Sequence, residues 1–160
     1  MAYQFNEATI VDIKDETEKV KRYFIKVPDE IPFSFKAGQF IMLDLPIDSK
    51  YTNRSYSIAS APSNDNIFEL CIVLNEKGLG TPYMWENFKV GTKVNISKLL
   101  GKFQLPETID RDICFIGTGT GIAPLRSQII DILNKGLPHK SLHLVFGNRW
   151  EKDILYRKEM

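Results

Sequence analysis

The 160-residue sequence predicts a small antiparallel β barrel or sandwich followed by the beginning of a parallel α/β unit. Short strand-like runs separated by turn residues extend from Phe5 to about Leu105, which is typical of small all-β domains. After Pro106 the order becomes strand, glycine-rich turn, helix and strand, which is the order of a βαβ unit. We therefore predict a first domain over residues 1–108 and an incomplete second domain over 109–160.

The first half contains several runs with strand patterns. Alternation in the earliest of them places Tyr23, Ile25 and Val27 on one face. A later run, from Ile67 to Asn75, is densely apolar, as expected of a strand that is covered on both sides. The predicted strands are 19–27, 38–46, 53–60, 67–75 and 92–99. One helix is expected at 81–88, because Thr81 can cap it and Pro82 suits its first position.

The second half has fewer elements. Residues 112–117 and 141–147 resemble two buried strands, and the final segment, 151–160, predicts the start of a helix. Between the two strands, apolar residues follow helical spacings of four, three and one: Leu125, Ile129, Ile132 and Leu133. Two strands and about one and a half helices cannot cover both faces of a doubly wound sheet, so this domain is expected to be incomplete.

Composition excludes several classes of protein. The net charge of +1 comes from 21 basic and 20 acidic residues spread along the chain, so nucleic acid is not the expected partner. No apolar run approaches the ~20 residues of a membrane span. The first ten residues lack the basic start and apolar middle of a signal peptide, so the expected compartment is the cytoplasm.

The cysteines and histidines do not predict a metal site. Cys71 and Cys114 each have apolar neighbours and form no cluster spacing, so both are expected to be core thiols within strands. His139 and His143 have no acidic partner within sequence reach, and we predict no metal ligands among them.

Two segments hold residue types that could bind a ligand. "NRSYSIAS" (53–60) places an arginine, a tyrosine and serines in one strand, although an ordinary half-exposed strand would also alternate in this way. "GTGTGIAP" (117–124) joins a strand to a helix, where free N–H groups suit a phosphate. Its spacing matches neither Gly-x-Gly-x-x-Gly nor the Lys-Ser/Thr phosphate loop, and a tight turn without a ligand is the alternative.

Taken together, the ordered motifs "NRSYS", "KGLGTPYM", "LLGKF" and "GTGTGIAP" resemble the ferredoxin-NADP reductase family of flavoprotein reductases. "FKAGQF" is similar to the Pro-Gly-Gln strand start of that family, with Ala37 in place of the proline. "FGNRWEKDILY" is similar to its second-strand segment. The resemblance implies a six-stranded antiparallel Greek-key FAD-binding barrel followed by the first part of a parallel α/β NAD(P)-binding domain.

The resemblance also implies roles for individual residues. Arg54 would pair with the FAD pyrophosphate, which suits the guanidinium fork. Tyr56 would lie against the isoalloxazine ring, and Ser57 would place its hydroxyl near the flavin nitrogen that receives hydride, so Tyr56 and Ser57 are the catalytic candidates. Further FAD contacts are implied for Cys71, Ile72, Val73, Gly78, Leu79, Gly80 and Thr81. Contacts to NADPH or NADH are implied for Gly119, Thr120, Gly121, Ile122 and Arg149.

Two of these assignments have equally simple alternatives. The Thr81 hydroxyl could only cap its helix, because capping and phosphate binding use the same geometry. Arg149 could be a solvated loop charge, although an arginine in this place can favour the phosphorylated cofactor.

The implied reaction is hydride transfer from NADPH or NADH to FAD, followed by electron delivery to a separate acceptor protein such as a ferredoxin, a flavodoxin or an oxygenase component. The alternative is an FAD-binding electron-transfer or regulatory module without NAD(P)H turnover of its own. Members of the family continue for several strands and helices past the position of Met160, and the sequence contains no four-cysteine cluster motif.

Overall fold

The computed structural model describes residues 4–50, 52–106 and 108–159. Their strands and helices are β1 (Phe5–Thr17), β2 (Val20–Lys26), β3 (Phe40–Asp44), β4 (Asn53–Ser57), β5 (Ile67–Val73), α1 (Gly80–Asn87), β6 (Lys93–Ser97), β7 (Ile113–Thr118), α2 (Ile122–Lys135) and β8 (Leu142–Gly147). Single 3-10 turns occupy Gly119–Gly121 and Glu151–Asp153. None of the helices in these ranges is both long enough and apolar enough to cross a membrane.

The first six strands form one antiparallel sheet in the order β4-β3-β6-β1-β2-β5. Its two edge strands meet at a bridge between Ile58 and Leu70, and Ala59 N donates to Glu69 O at 2.8 Å. Closure removes the free edges that an open sheet would expose. The predicted six-stranded antiparallel barrel is therefore confirmed.

The barrel core follows from the alternation of the strands. Tyr23, Ile25, Ile41 and Leu43 are each at most 1% exposed, and burying each of the three aliphatic side chains contributes about 1.5–3 kcal/mol. Helix α1 has no side-chain cap, and a helix this short depends on packing. It buries Met84 completely in the core.

The second lobe packs directly on the barrel. Strands β7 and β8 pair in parallel, and α2 covers one of their faces. A second core cluster joins the lobes, since it contains barrel residues and residues of the α/β unit alike. Its members are Val20, Ala59, Cys71, Ile109, Phe115, Ile122, Ala123, Leu125, Ile132, Leu155 and Tyr156.

The prediction that 112–117 and 141–147 are fully buried strands is wrong for one face. Ile116 is 72% exposed and Val145 is 55% exposed, because within the described residues only the α2 side of this two-stranded sheet is covered. Cys114 shares the uncovered face, so the prediction of a core thiol is wrong there. It is confirmed for Cys71, which is 5% exposed.

Two local expectations are also wrong. Helix α1 begins at Gly80 after the N-cap Leu79, and no side chain caps it, so Thr81 is not its cap. The expected last helix is a single 3-10 turn, Glu151–Asp153, followed by further turns. Tyr156 has φ of 55°, a left-handed conformation that a right-handed helix cannot continue through.

Candidate functional site

Strand β4 presents its polar signature on two faces. Arg54 and Tyr56 lie on one side and Ser55 is exposed on the other, as the alternation predicts. The Tyr56 hydroxyl contacts Met84 Sδ of α1 at 3.5 Å. Burial raises the pKa of Tyr56 to about 12, and nearby Arg54 only partly opposes this shift. Tyr56 is therefore a neutral phenol at physiological pH.

Arg54 lies against the start of α1. A Cβ built on Gly80 would come within 3.2 Å of Arg54 Cγ and 3.3 Å of Arg54 Nε, so the absence of a side chain at Gly80 makes room for the arginine. Arg54 Nη1 also donates to Asn53 O at 2.9 Å. A cationic side chain and the positive end of a helix thus meet at one place, which favours an anion.

The loop before α1 is organised by Asn75, a residue whose part the sequence did not reveal. Its amide N–H donates to Thr81 Oγ1 at 2.8 Å, and Thr81 Oγ1 donates back to Asn75 O at 3.3 Å. Gly78 N donates to the same carbonyl at 2.9 Å, and the Asn75 side chain accepts from Lys77 N at 3.2 Å. The available signal was asparagine's tendency to bond to the backbone two residues further on.

The end of β5 runs beside this region. Cys71 and Ile72 are buried, whereas Val73 is 44% exposed. Burial is the main cause that raises the pKa of the Cys71 thiol to about 12, because a low-dielectric surrounding disfavours a thiolate. Cys71 is therefore a neutral packing residue.

The glycine-rich turn is open to solvent and near β5. Its Cα atoms come within 8 Å of those of β5. A Cβ at Gly119 or Gly121 would meet nothing within 4 Å, and Gly119 has φ of 49°. No side chain caps α2, which starts after the N-cap Gly121. The N–H of Ile122 already donates to Gly119 O and Thr120 O, so that amide is satisfied within the turn.

The two remaining predicted site residues, Arg149 and Ser57, have fewer contacts that define a role. Arg149 is exposed in the segment after β8. Ser57 is half-buried and pairs with Phe40 across β3 and β4. In residues 4–50, 52–106 and 108–159, no three His, Cys, Asp or Glu side chains are grouped as metal ligands. The structure thus brings together Arg54, Tyr56, Gly80 and Thr81 as one patch, and sets the Gly119–Gly121 turn beside β5.

Comparison with known families decides the affiliation. A family model for an oxidoreductase FAD-binding domain matches residues 7–105, and one for an oxidoreductase NAD-binding domain matches residues 115–160. The chain belongs to the ferredoxin-NADP reductase family of flavoprotein reductases. Its cofactor classes, FAD and NAD(P)H, are those of the two matched domains.

Individual relatives of this reductase-family chain are consistent with the family assignment. Ferredoxin–NADP reductase B from Sorangium cellulosum is 33% identical, over 96% of this chain and 62% of that protein. Phenol hydroxylase P5 protein from Acinetobacter pittii is 32% identical, over 96% of this chain and 42% of that protein. The solved CS-b5R domains of human Ncb5or are 20% identical and superimpose with a TM-score of 0.86 over 99% of this chain and 48% of that one, which shows the shared fold.

Proposed function

We propose that this chain holds FAD in its barrel, receives electrons from NADPH or NADH at its α/β unit, and delivers them to a separate acceptor protein. The observation that carries the proposal is the contact of Arg54 with the uncapped start of α1 beside the half-buried ring of Tyr56. An anion-binding corner next to a flat aromatic face suits the pyrophosphate and ring of one dinucleotide.

Different barrel residues would contact different parts of FAD. Arg54 would bond to the pyrophosphate, and the loop of Gly78, Leu79, Gly80 and Thr81 would offer backbone groups to it. Tyr56 would stack on the ring and Ser57 would present a hydroxyl to its reactive edge. The backbone of Cys71, Ile72 and Val73 would follow the other edge. Bound FAD would supply the conversion of two-electron to one-electron transfer, while the protein supplies position and excludes water.

The second lobe would hold the nicotinamide cofactor. Gly119, Thr120 and Gly121 form an open turn at the start of α2, and such a turn suits a pyrophosphate. Ile122 would lie next to the pyrophosphate without donating a hydrogen bond to it, since the Ile122 N–H is already bonded within the turn. Arg149 would meet the adenosine ribose or its 2′-phosphate. We propose that the lobes divide near residue 108, with residues 109–160 forming part of the nicotinamide domain.

The acceptor is proposed from the chemistry of the family. A ferredoxin, a flavodoxin or an oxygenase component would each accept single electrons from FAD. The relatives named above include a ferredoxin reductase and a phenol hydroxylase component, which is consistent with this range.

A second candidate function rests on the uncovered face of β7 and β8. The chain spans between 42% and 62% of the length of its first curated relatives, and Ile116 and Val145 are exposed. With this face uncovered, the 160-residue chain would bind FAD and lack rapid NAD(P)H turnover, acting as a flavin-binding module.

A visible spectrum separates the two functions. The protein is reconstituted with FAD under anaerobic conditions, and the flavin band is followed after NADPH or NADH is added. Bleaching within seconds supports the reductase function, and a bound flavin that stays oxidised supports the flavin-binding module. If no flavin is retained, both proposals fail.

The role of Arg54 predicts the effect of one substitution. Arg54→Ala should weaken FAD binding about 10- to 100-fold, because hydrogen bonds to charged groups contribute about 1.5–3 kcal/mol. Quenching of flavin fluorescence during titration measures the dissociation constant. Arg111→Ala is the matched control, since Arg111 is 81% exposed and pairs with its neighbour Asp110. Equal affinity in both variants would remove Arg54 from the FAD site.

A further inference from the structure

Three consecutive side chains of α2 donate hydrogen bonds to backbone carbonyls of the first lobe. Arg126 Nη1 donates to Ala59 O at 2.8 Å, Ser127 Oγ donates to Ser60 O at 2.6 Å, and Gln128 Nε2 donates to Phe103 O at 2.8 Å. All three residues are buried, with exposures of 8%, 0% and 2%. Buried polar groups rarely lack partners, and each of these three buried donors is satisfied by a backbone carbonyl of the first lobe.

Two of these bonds, those of Arg126 and Ser127, join the two halves of the proposed site, and the third ties α2 to Phe103 beyond β6. Ala59 and Ser60 lie two and three positions after Ser57, the last residue of β4, so their backbone is closely tied to the part of that strand assigned to the flavin. Arg126 lies five positions after Gly121, about 7.5 Å along the helix axis. Arg126 and Ser127 therefore connect the end of β4, the strand assigned to the flavin, to the Gly119–Gly121 turn assigned to the nicotinamide cofactor.

Arg126 also belongs to a junction of charged and polar side chains that is buried except at Glu159, whose side chain is 38% exposed. Its members are Arg22, Glu69, Arg126, Tyr156 and Glu159. Arg126 Nη1 lies 3.3 Å from Glu69 Oε2, and Arg126 Nη2 donates to Glu159 Oε2 at 2.6 Å. Its guanidinium carbon lies 4.3 Å from the centroid of the Tyr156 ring. Removing one member of such a buried network leaves a charge without compensation, which is strongly destabilising.

Barrel residues complete the junction. Arg22 Nε donates to Glu69 Oε1 at 2.6 Å, and the Tyr156 hydroxyl donates to the same oxygen at 2.7 Å. Glu69 of β5 is only 2% exposed. The junction thus holds β2, β5, α2 and the last turn of the described chain in one arrangement.

We propose that Arg126, Ser127 and Gln128 form a positioning clamp. The clamp fixes the Gly119–Gly121 turn, which would hold the nicotinamide cofactor, against the end of β4 and the loop that contains Phe103. Lobes within one chain commonly move relative to each other unless their interface is large and hydrophobic, and the clamp adds directional bonds to the apolar cluster that the two lobes share. This inference rests on the proposed function for its consequence in hydride transfer. The clamp itself is tested without any turnover.

The test measures the distance between the lobes in the full chain. Nitroxide labels are attached to Cys114, which is exposed, and to a second cysteine introduced by Val90→Cys, at a barrel position that is 63% exposed. Cys71 is buried and escapes labelling. Double electron–electron resonance then gives the distance distribution, with and without FAD.

Two variants and a control are compared. Ser127→Ala combined with Gln128→Met removes two donors and keeps every charge, so the chain should still fold even if Arg126→Met does not. Both should widen the distribution about twofold or more relative to the parent, as expected when a fixed interface becomes mobile. Arg157→Gln, which removes an exposed arginine paired with exposed Glu151, should leave it narrow.

The outcomes are distinguishable from those of the proposed function. A folded double variant with FAD content unchanged, a wide distribution and bleaching by NADPH or NADH slowed about tenfold or more would support a positioning role. A distribution that is wide in the parent, or narrow in the double variant, would overturn the clamp. Loss of FAD in the double variant would overturn its positioning role. A parent that never binds FAD but shows a narrow distribution would contradict the proposed function and leave the clamp standing.

Discussion

Gly38 shows how one residue permits the contact between the lobes. It has φ of +95°, and a Cβ added there would lie 1.7 Å from Phe103 O and 2.5 Å from Gln128 Nε2. The same carbonyl accepts the bond from Gln128. Any side chain at position 38 must therefore displace the backbone at Phe103, the Gln128 side chain of the clamp, or both.

This geometry predicts a large loss of stability for Gly38→Ala. A left-handed backbone costs an L-residue about 1–2 kcal/mol, and the steric conflict adds to it, so we expect the free energy of unfolding to fall by about 3 kcal/mol or more. Gly136→Ala is the control, since Gly136 has φ of +59° with nothing within 4 Å of its Cβ. Urea unfolding of both variants isolates the steric part, and equal losses would contradict the structure.

At the level of single residues, the sequence indicated which side chains could bind a ligand better than it indicated which side chains are buried. Arg54, Tyr56 and Ser57 do lie in one strand, β4, as the sequence predicted. The flanking residues of Cys114 are apolar, yet its side chain is exposed, because a strand with apolar residues on both faces does not reveal which face is covered. The same uncertainty applied to Ile116 and Val145.

At the level of elements, the loop from Asn75 to Thr81 depends on one hydroxyl. Thr81 Oγ1 accepts a hydrogen bond from Asn75 N and donates one to Asn75 O, so it closes the loop across six residues. The sequence indicated a helix start here and offered two roles for the hydroxyl, a helix cap or a contact to the FAD pyrophosphate, but not this closure. Non-local partners of this kind carry no pattern in the sequence.

Thr81→Val tests this closure, because it removes the hydroxyl at nearly constant volume. We expect the free energy of unfolding to fall by about 1–2 kcal/mol, the contribution of one or two hydrogen bonds, and FAD binding to weaken with it. Thr81→Ser should restore both, since it keeps the hydroxyl. Denaturant unfolding and FAD titration of the three proteins provide the comparison. A serine variant no better than the valine variant would show that the methyl group matters instead.

The last segment of the chain shows why other elements could not be predicted. Its composition favours a helix, but Leu155 and Tyr156 are buried against the barrel, and the Tyr156 hydroxyl bonds to Glu69 of β5. Tertiary contacts with a residue 87 positions away override local propensity here. By contrast, the alternation in β2 and the densely apolar run in β5 report their burial directly, and the structure confirms both.

At the level of the whole molecule, several ionisable groups are buried in their neutral form. Burial raises the pKa of Cys71 from 9.0 to about 12 and that of Tyr56 from 10.0 to about 12. Burial also raises the pKa values of Tyr23 and Tyr156. The folded state therefore retains protons that the unfolded chain loses above about pH 9. Stability from these groups is complete below that pH and declines as the pH rises.

The decline should be visible in urea unfolding between about pH 8 and about pH 10, followed by tryptophan fluorescence. Each proton retained only by the folded state lowers the free energy of unfolding by about 1.4 kcal/mol per pH unit. Just above pH 9 the Cys71 thiol should account for most of the slope, because unfolded tyrosines ionise only near pH 10. Cys71→Ala should make this slope shallower than that of the parent protein. A slope unchanged by Cys71→Ala would mean that the Cys71 thiol ionises as readily in the folded protein as in the unfolded chain.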